Sequence, residues 1–395
     1  MKFKRIEFEN HPILGNCVFD FTTKNGDIAD TIIIAGENGC GKSVFLNELY
    51  RFEPNTLFNN KIGRMIVDAV LNEEEITKLN ESEDIKRIKP SGLKSNEIQI
   101  RQDFSTKNNW AQSIFFIDGN QFYGHMLSNL FKRVYSDVEI NFAPQKINSI
   151  TAQNIDQIQN NAIKSSKNLA TEITQLLIDI KTLDDADLAS WVELHPGEVP
   201  PESIKSMRMK RFTNAFHSIF ENKKFKGITN ENGYKSVNFE EFGRIMSIDQ
   251  LSSGEKQIVF RGSFLLKDKK SIEGAYVLVD EPEISLHPKW QINILPFIKN
   301  LFMDECGVQT SQIFVTTHSP FIIHNYNRSN DKVIILQKDN NGIIKVSDKP
   351  EYYSWTAEQI IQEAYDININ FQPNVKYVFV EGETDEYYYK KTLEV

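Results

Sequence analysis

One run of thirteen residues organises this chain: Thr31-Ile32-Ile33-Ile34-Ala35-Gly36-Glu37-Asn38-Gly39-Cys40-Gly41-Lys42-Ser43. Its first part is apolar and rich in β-branched residues, which predicts a buried strand, and a helix-compatible run begins at Lys42. Between them lies the pattern G-x-x-x-x-G-K-S, which is the spacing of a phosphate-binding loop. The sequence therefore predicts a strand, a loop and a helix that together bind the phosphates of a nucleotide.

The residue types in this loop suit an anionic ligand. Glycines allow successive backbone N–H groups to point inward at a phosphate, and the helix N-terminus adds a partial positive charge. Lys42 can reach the β- and γ-phosphates, and the hydroxyl of Ser43 can bind Mg²⁺. The predicted nucleotide-binding residues of the loop are Gly36, Asn38, Gly39, Cys40, Gly41, Lys42 and Ser43.

Length and composition are those of an ordinary globular protein. The chain has 395 residues, of which 40% are hydrophobic and 25% charged, so it has room for two or three domains. A net charge of −9 is not that of a basic protein that coats nucleic acid. No apolar run approaches the roughly 20 residues that span a bilayer, and the N-terminus has no signal-peptide core. The three cysteines form no metal-type pair, so we expect a cytoplasmic protein without a membrane segment.

Two further stretches predict more of the site. Leu251-Ser252-Ser253-Gly254-Glu255 precedes a helix-compatible run, which predicts a turn that could bind an anion or simply cap the helix. The apolar run Ala275–Val279 predicts a buried strand, and Asp280 and Glu281 follow it, at the end where open α/β sheets bind ligands. Asp280 is suited to binding Mg²⁺, and Glu281 to polarising an attacking water.

Another buried strand is predicted at Gln312–Thr317, and it leads directly to His318. A single histidine after a strand is more often structural than catalytic. Here it follows two predicted site carboxylates along the chain, which favours a role in the site. The predicted catalytic residues are therefore Glu281 and His318.

The rest of the chain divides into strand-like and helical regions. Strand patterns occur at residues 2–8, where the alternation is typical of an edge strand, and at Cys17–Phe21, Arg64–Leu71, Glu97–Arg101 and Ser113–Ile117. The polar residues 80–96 predict a loose surface loop, residues 155–180 an amphipathic helix, and residues 224–239 a hairpin. The predicted segments are an N-terminal lobe (1–124), a helical insert (125–223), a C-terminal lobe (224–345) and a C-terminal extension (346–395).

Taken in order, the chain carries GENGCGKS, LSSGE, VLVDEPE, SLHP and THSP, and this set of motifs resembles the ATP-binding-cassette (ABC) ATPases. The resemblance is to their soluble branch, which includes SMC-like, RecF-like and overcoming-lysogenisation-defect (OLD) proteins. Through these motifs it extends from residue 1 to about residue 340. It implies an α/β fold, an ABC-type P-loop NTPase core with a mixed sheet, an antiparallel β lobe and a helical insert.

The resemblance also implies a head-to-tail dimer that holds ATP and Mg²⁺ between its subunits. The residues of one subunit that would face the nucleotide are Lys42, Ser43, Asp280, Glu281 and His318, with His318 sensing the γ-phosphate. Those of the other subunit would be Ser253, Gly254 and Glu255. Gln121, in the atypical context Asp118-Gly119-Asn120-Gln121, is the candidate for the glutamine that these enzymes use as a further Mg²⁺ ligand.

Near the C-terminus, Val375–Glu386 resembles the first strand and catalytic glutamate of a Toprim nuclease domain, which follows the ATPase in OLD proteins. Glu381 and Asp385 are its candidate carboxylates. The sequence ends at Val395, whereas a domain needs at least about 50 residues, so we expect no complete nuclease site and no DNA cleavage by this chain alone. A terminal strand and helix packed on the ATPase would give the same pattern.

The resemblance implies an OLD-like ATPase that hydrolyses ATP and gates an effector, a nuclease or a toxin, in bacterial defence against phage. The expected partners are a second copy of the chain or a higher homo-oligomer, an effector protein, and DNA. Three alternatives stay open: a RecF- or SMC-like DNA-repair ATPase, the ATPase part of a truncated Toprim nuclease, and a module that uses ATP to hold an assembly together with little turnover. Identification of co-purifying chains and nucleic acid would distinguish them.

Overall fold

The part of the chain that the structure describes contains both strands and helices. The computed structural model describes residues 1–347 except 24, 53–62, 105–110, 137–168, 202–204, 206, 232–233, 267–274, 285, 305–306, 324–330 and 340. The strands are β1 (Lys2–His11), β2 (Gly15–Asp20), β3 (Thr31–Gly36), β4 (Arg64–Val70), β5 (Glu97–Phe104), β6 (Ala111–Ile117), β7 (Asn120–Tyr123), β8 (Arg133–Ser136), β9 (Lys223–Glu231), β10 (Tyr234–Glu241), β11 (Arg244–Ser247), β12 (Tyr276–Asp280), β13 (Gln312–Thr317), β14 (Asp331–Lys338) and β15 (Ile344–Ser347).

The helices are α1 (Lys42–Arg51), α2 (Glu73–Glu81), α3 (Glu83–Ile88), α4 (Leu169–Leu194), α5 (Met207–Ile219), α6 (Ser253–Leu265), α7 (Pro288–Leu301) and α8 (Pro320–Ile323). The start of α2 is fixed by a capping box, in which Asn72 and Glu75 each accept a hydrogen bond from the other's backbone N–H. None of these described helices combines the length and hydrophobicity that crossing a bilayer needs.

A central six-stranded sheet carries the phosphate-binding loop. Its strand order is β15-β14-β3-β13-β12-β8, in which β15 is antiparallel to β14 and the other neighbours are parallel. Every residue of β3, β12 and β13 is buried, because both faces of a parallel sheet are covered and its strands are mostly apolar. These three strands all point the same way, so the segments that follow them meet at one edge of the sheet.

A second six-stranded sheet is antiparallel, in the order β2-β1-β4-β5-β6-β7. Residues 2–8 therefore form an interior strand between β2 and β4, and the predicted edge position is wrong. Arg5, for example, lies opposite Asp20 of β2 and Asp68 of β4. Alternating polarity reports that one face of a sheet meets solvent, and interior strands of an antiparallel sheet share that property with edge strands.

The polar stretch 80–96 is not a loose loop. It contains α3, whose Ile85 is completely buried, and Leu93 is buried beyond it. The amide group of Asn80 holds this segment by accepting a hydrogen bond from the N–H of Leu93 and donating one to its carbonyl oxygen. The prediction failed because a few apolar anchors suffice to dock a short helix whose other residues are polar.

The predicted helical insert contains α4 and α5, which are joined by a buried ion pair between Asp184 and Arg208 (3.1 Å). The start of the predicted amphipathic helix, residues 155–168, lies outside the described residues. Strand β8 also falls within 125–223, yet it pairs with β12, so the central sheet takes a strand from that range. The predicted hairpin is formed by β9 and β10. The four-segment division itself stays a prediction.

Candidate functional site

The phosphate-binding loop connects the end of β3 to the start of α1, and two of its glycines are required by its geometry. Gly36 has a φ of 156°, and a Cβ atom there would lie 2.4 Å from the carbonyl oxygen of Leu336 in β14. Gly41, the N-cap of α1, has a φ of 92°, in the left-handed region that favours glycine. At Gly36 the loop therefore passes too close to β14 for a side chain, and at Gly41 the left-handed backbone would strain any other residue.

Lys42 lies inside this loop. Its side chain is 4% exposed, and its Nζ donates hydrogen bonds to the carbonyl oxygens of Gly36 (2.9 Å) and Glu37 (3.2 Å). Asn38 and Gly39 are exposed at the tip, and Ser43 is half-buried on the first turn of α1. A cation is thus held where the backbone N–H groups of the loop and the helix N-terminus also favour an anion.

Cys40 belongs to the loop, but its side chain points away from solvent. The residue is 2% exposed, and burial raises the pKa of its thiol. Any contribution of Cys40 to phosphate binding therefore comes from its backbone. Its sulfur packs beneath the loop, where a Cβ on Gly36 would meet it at 2.6 Å.

The two predicted carboxylates stand at the end of β12. Asp280 is 2% exposed and accepts hydrogen bonds from the Thr316 hydroxyl and, at 3.4 Å, from the Tyr135 hydroxyl. Glu281 has a φ of 40°, which costs a residue with a side chain about 1–2 kcal/mol. Its N–H donates to the carbonyl oxygen of Thr316 in β13 (3.1 Å), so the neighbouring strand holds this unusual backbone conformation.

His318 follows β13 and meets Glu281. Its Nδ1 lies 3.5 Å from Glu281 Oε1 and 3.4 Å from Glu283 Oε1. On the other side, Glu281 Oε1 lies 3.6 Å from Lys42 Nζ. The contact with His318 lowers the pKa of Glu281, and the same contact raises the pKa of His318, in both cases against the effect of burial. Glu281 is therefore ionised at neutral pH and lies between Lys42 and His318.

We call this group, formed by Lys42, Asp280, Glu281 and His318, the strand-edge site. It combines a buried lysine, a buried aspartate suited to Mg²⁺ and an ionised glutamate. Among the described residues, no three His, Cys, Asp or Glu side chains are close enough to bind a metal by themselves. That donor set fits Mg²⁺ that arrives with a nucleotide, because Mg²⁺ uses one or two protein ligands together with phosphate oxygens and water.

The residues Leu251–Glu255, which we call the signature turn, form the N-terminus of α6. Glu255 accepts a hydrogen bond from the N–H of Ser252 (2.9 Å), whose hydroxyl accepts one from the N–H of Glu255 (3.4 Å). Glu255 also pairs with Lys223 of β9 at 3.2 Å. Burial by itself lowers the pKa of Lys223, but its bonds to Glu241 and Glu255 outweigh this and raise it. The Glu255 side chain is thus engaged within its own chain.

The structure does not bring the signature turn to the strand-edge site of the same chain. Arg261, also in α6, is 1% exposed and donates to Ser136 Oγ (2.9 Å) and to the carbonyl oxygen of Glu281 (3.5 Å). Eight residues of helix separate Arg261 from Ser253, which is roughly 12 Å along the axis of α6. Ser253 and Gly254 therefore lie at the far end of a helix whose middle touches the site.

Gln121 is also not brought to the site. It is exposed in β7, at the edge of the antiparallel sheet, where it pairs with Phe116 of β6. Within the described part of the chain, no contact joins its side chain to Lys42 or Asp280. Its role as a Mg²⁺ ligand stays a prediction. Glu381 and Asp385 lie outside the described residues, so the Toprim resemblance stays a prediction too.

Sequence reasoning missed the residues that hold the site together. Thr316 bonds to Asp280 and Glu281, Glu283 accepts hydrogen bonds around His318, and Arg261 joins α6 to the end of β12. Two features of the sequence could have indicated some of these residues. They are the further acidic residue in Asp280-Glu281-Pro282-Glu283 and the two consecutive threonines before His318. A polar residue inside a buried strand is costly unless it has a partner.

Known proteins resemble the chain in both sequence and fold. It is 30% identical over 128 residues to the "Retron Ec83 probable ATPase" of Escherichia coli, covering 30% of this chain and 22% of that protein. It is 24% identical over 184 residues to the "Septu protein PtuA" of Bacillus thuringiensis, covering 41% of this chain and 42% of that protein. The chain therefore spans less than half the length of these curated relatives.

Among solved structures, an SMC head bound to the C-winged helix domain of ScpA superposes with a TM-score of 0.50 at 14% identity, covering 88% of this chain and 97% of that chain. This likeness concerns the fold and confirms the predicted α/β P-loop NTPase core. A profile of the family described as "AAA domain, putative AbiEii toxin, Type IV TA system" matches residues 32–324. Because that match covers well over half of the sequence and includes every element of the strand-edge site, the chain belongs to this AAA-domain family.

Proposed function

We propose that this chain binds ATP with Mg²⁺ at the strand-edge site and hydrolyses it. The observation that carries the proposal is the contact series Lys42–Glu281–His318, with Nζ–Oε1 3.6 Å and Nδ1–Oε1 3.5 Å. It stands beside a phosphate-binding loop at the carboxyl edge of a parallel sheet. Family membership supports an ATPase in general terms.

Each side chain then has a defined task. Lys42 would neutralise charge on the β- and γ-phosphates, and Ser43 and Asp280 would hold Mg²⁺, which stabilises negative charge on those phosphates when bound. Glu281 is ionised and would accept a proton from the attacking water. His318, half-exposed beside it, would donate a hydrogen bond to the γ-phosphate.

We further infer that the active form is a head-to-tail dimer. Each chain has one strand-edge site and one signature turn, and the turn lies at the N-terminus of α6, roughly 12 Å along the helix axis from Arg261, whose side chain contacts the site. A signature turn that faces a nucleotide would therefore have to come from a second copy. Gly254 and the N-terminus of α6 present the backbone N–H groups that suit a phosphate.

Mixing two inactive variants tests this arrangement. Lys42→Ala removes the cation of the strand-edge site, and Ser253→Arg blocks the signature turn. In a mixed dimer, one composite site is intact, so an equal mixture should recover about a quarter of wild-type ATP turnover through random pairing. Neither variant alone should turn over ATP. A Lys289→Ala variant, with an exposed lysine on α7, is the control.

Two results would contradict the proposal in different ways. A wild-type protein that is fully active and strictly monomeric in sedimentation would exclude the shared site but keep the ATPase. A wild-type protein that binds ATP without turning it over would favour a module that uses the nucleotide to hold an assembly together.

We place this ATPase in bacterial defence, where it would gate an effector nuclease or toxin. The proposal is supported by the OLD-like motif order, by the family description with its toxin and Type IV TA system, and by relatives named for a retron and for Septu. The effector and any DNA contact stay predictions, as does the expectation that this chain alone leaves DNA uncut. Co-purification of the native protein, with incubation of plasmid DNA and Mg²⁺, tests all three.

A further inference from the structure

A third acidic residue, Glu283, lies beneath the strand-edge site, and the ATPase scheme above leaves it without a task. It is 3% exposed. Its Oε1 accepts three hydrogen bonds from consecutive residues: from the Thr317 hydroxyl at 2.6 Å, from the N–H of His318 at 3.0 Å and from the N–H of Ser319 at 3.3 Å. One carboxylate oxygen thus holds the whole segment that carries the histidine.

The same segment is held from a second side. The Ser319 hydroxyl donates to Gln291 Oε1 at 2.6 Å, and Gln291 Nε2 donates to the carbonyl oxygen of Leu286 at 2.9 Å. The N–H of Ser319 also donates to the Thr317 hydroxyl at 2.9 Å. The turn after β13 is therefore clamped between Glu283 and the first turn of α7.

The two glutamates at the end of β12 face different partners. Glu281 is partly exposed and lies between Lys42 and His318, whereas Glu283 is buried and faces the backbone of the turn. Among the described residues, His318 is the one basic side chain within ion-pair distance of Glu283, at 3.4 Å. Burying a carboxylate is costly unless it is bonded or paired, and here every bond and the pair converge on His318 and its neighbours.

We propose that Glu283 is a positioning residue, which holds the turn Thr317–Ser319 so that His318 stays beside Glu281 and faces the nucleotide. This inference rests on the proposed ATPase function. Glu283 itself does not touch the substrate in this scheme, because the residue is 3% exposed and its Oε1 is bonded to the turn.

Turnover by four variants tests the proposal: Glu283→Ala, Glu283→Gln, His318→Ala and the double variant Glu283→Ala/His318→Ala. Glutamine keeps an acceptor oxygen for the three donors, whereas alanine removes it. We expect Glu283→Ala to lower kcat by about 10- to 100-fold, with ATP affinity within about threefold of wild type, because a small misplacement of a reacting group has effects of that size. Glu283→Gln should retain kcat within about fivefold.

The double variant separates positioning from a general loss of structure. If Glu283 acts through His318, the double variant should be no slower than His318→Ala, because the two changes then remove one contribution. Glu221→Ala, at an exposed glutamate, is the control and should behave as wild type. Wild-type kcat in Glu283→Ala, a Glu283→Gln variant as slow as alanine, or fully additive losses would each overturn the inference.

Hydrogen exchange gives a readout that does not depend on turnover. The N–H groups of His318 and Ser319 are the ones that Glu283 bonds, so a peptide covering residues 312–323 should exchange faster in Glu283→Ala than in wild type or Glu283→Gln. Unchanged exchange in the alanine variant would refute the inference, even if wild type proved to have no ATPase activity. If Glu283→Ala alone loses this protection and wild type does not turn over ATP, the ATPase proposal is refuted. The role of Glu283 in holding the turn Thr317–Ser319 then still stands.

Discussion

Lys42 and Glu281 come from opposite halves of the chain, yet their side chains lie 3.6 Å apart in the strand-edge site. In the signature turn, by contrast, Ser252 and Glu255 are three residues apart and bond to each other across the first turn of α6. The first arrangement exists because strands β3, β13 and β12 are neighbours in one parallel sheet. The second needs only a helix N-terminus with a capping box.

The difference has consequences for what each region tolerates. In the strand-edge site, charge is concentrated and the backbone is unusual, with Glu281 at a φ of 40°, as expected where function outweighs local preference. In the signature turn, the polar groups bond to one another, and Glu255 also forms an ion pair with Lys223 of β9. Substitutions in the first region should therefore change chemistry more than stability, and substitutions in the second should change stability as well.

Lys42→Ala should have the largest effect. ATP affinity should fall by at least about a hundredfold, because the loop loses the cation that we propose neutralises the β- and γ-phosphates. Binding of a fluorescent ATP analogue measures this, with Lys289→Ala as the control. Affinity within a few-fold of wild type would show that the strand-edge site does not bind the nucleotide.

Glu281→Gln should separate binding from chemistry. The amide keeps the size of the side chain but cannot accept the proton of an attacking water, so kcat should fall by about a hundredfold or more while ATP remains bound. Steady-state turnover and sedimentation with ATP measure this, and we expect a persistent dimer. Turnover at the wild-type rate would mean that another group acts as the base.

Glu255→Ala should show the contrasting behaviour of the signature turn. Loss of the cap and of the pair with Lys223 should lower the free energy of unfolding by about 1–2 kcal/mol. Glu255→Gln keeps the acceptor for the N–H of Ser252, so its free energy of unfolding should fall by less. Denaturant unfolding compares the two variants with wild type, and equal losses would show that the charge, not the cap, matters.

The smallest expected effect is a pH dependence. The raised pKa of His318 means that its stabilising contact with Glu281 is fully present below its ordinary value of 6.5 and is lost as the pH rises through the raised value. The lowered pKa of Glu281 means that the contact is present above its ordinary value of 4.5 and is lost as the pH falls through the lowered value.

The stability difference between wild type and His318→Ala should therefore be larger at pH 5.5 than at pH 9. Because His318 is half-exposed, that difference should stay below about 1 kcal/mol. Thermal unfolding of both proteins at the two pH values measures it. A difference that grows with pH would show that the neutral imidazole is the stabilising form.

The sequence alone predicted the local units well. The strand, loop and helix of residues 31–51 and the buried strands before Asp280 and His318 depend on residues close together in the chain, and the structure contains each of them. Patterns of this kind report backbone preference and burial, which act over a few residues. The fold class was predicted from the resemblance to ABC ATPases that the order of the motifs carries.

Tertiary structure decided what those units could not encode. Residues 2–8 form an interior strand because β4 pairs with β1. Residues 80–96 contain α3 because the side chain of Ile85 is buried in the core. Gln121 lies in β7, which pairs with β6 in the antiparallel sheet and not in the central sheet. Glu283 can bond the turn Thr317–Ser319 because β13 pairs with β12, which places that turn within hydrogen-bonding reach. Pairing between strands distant in sequence depends on the packing of the whole core, and no short stretch of residues contains that information.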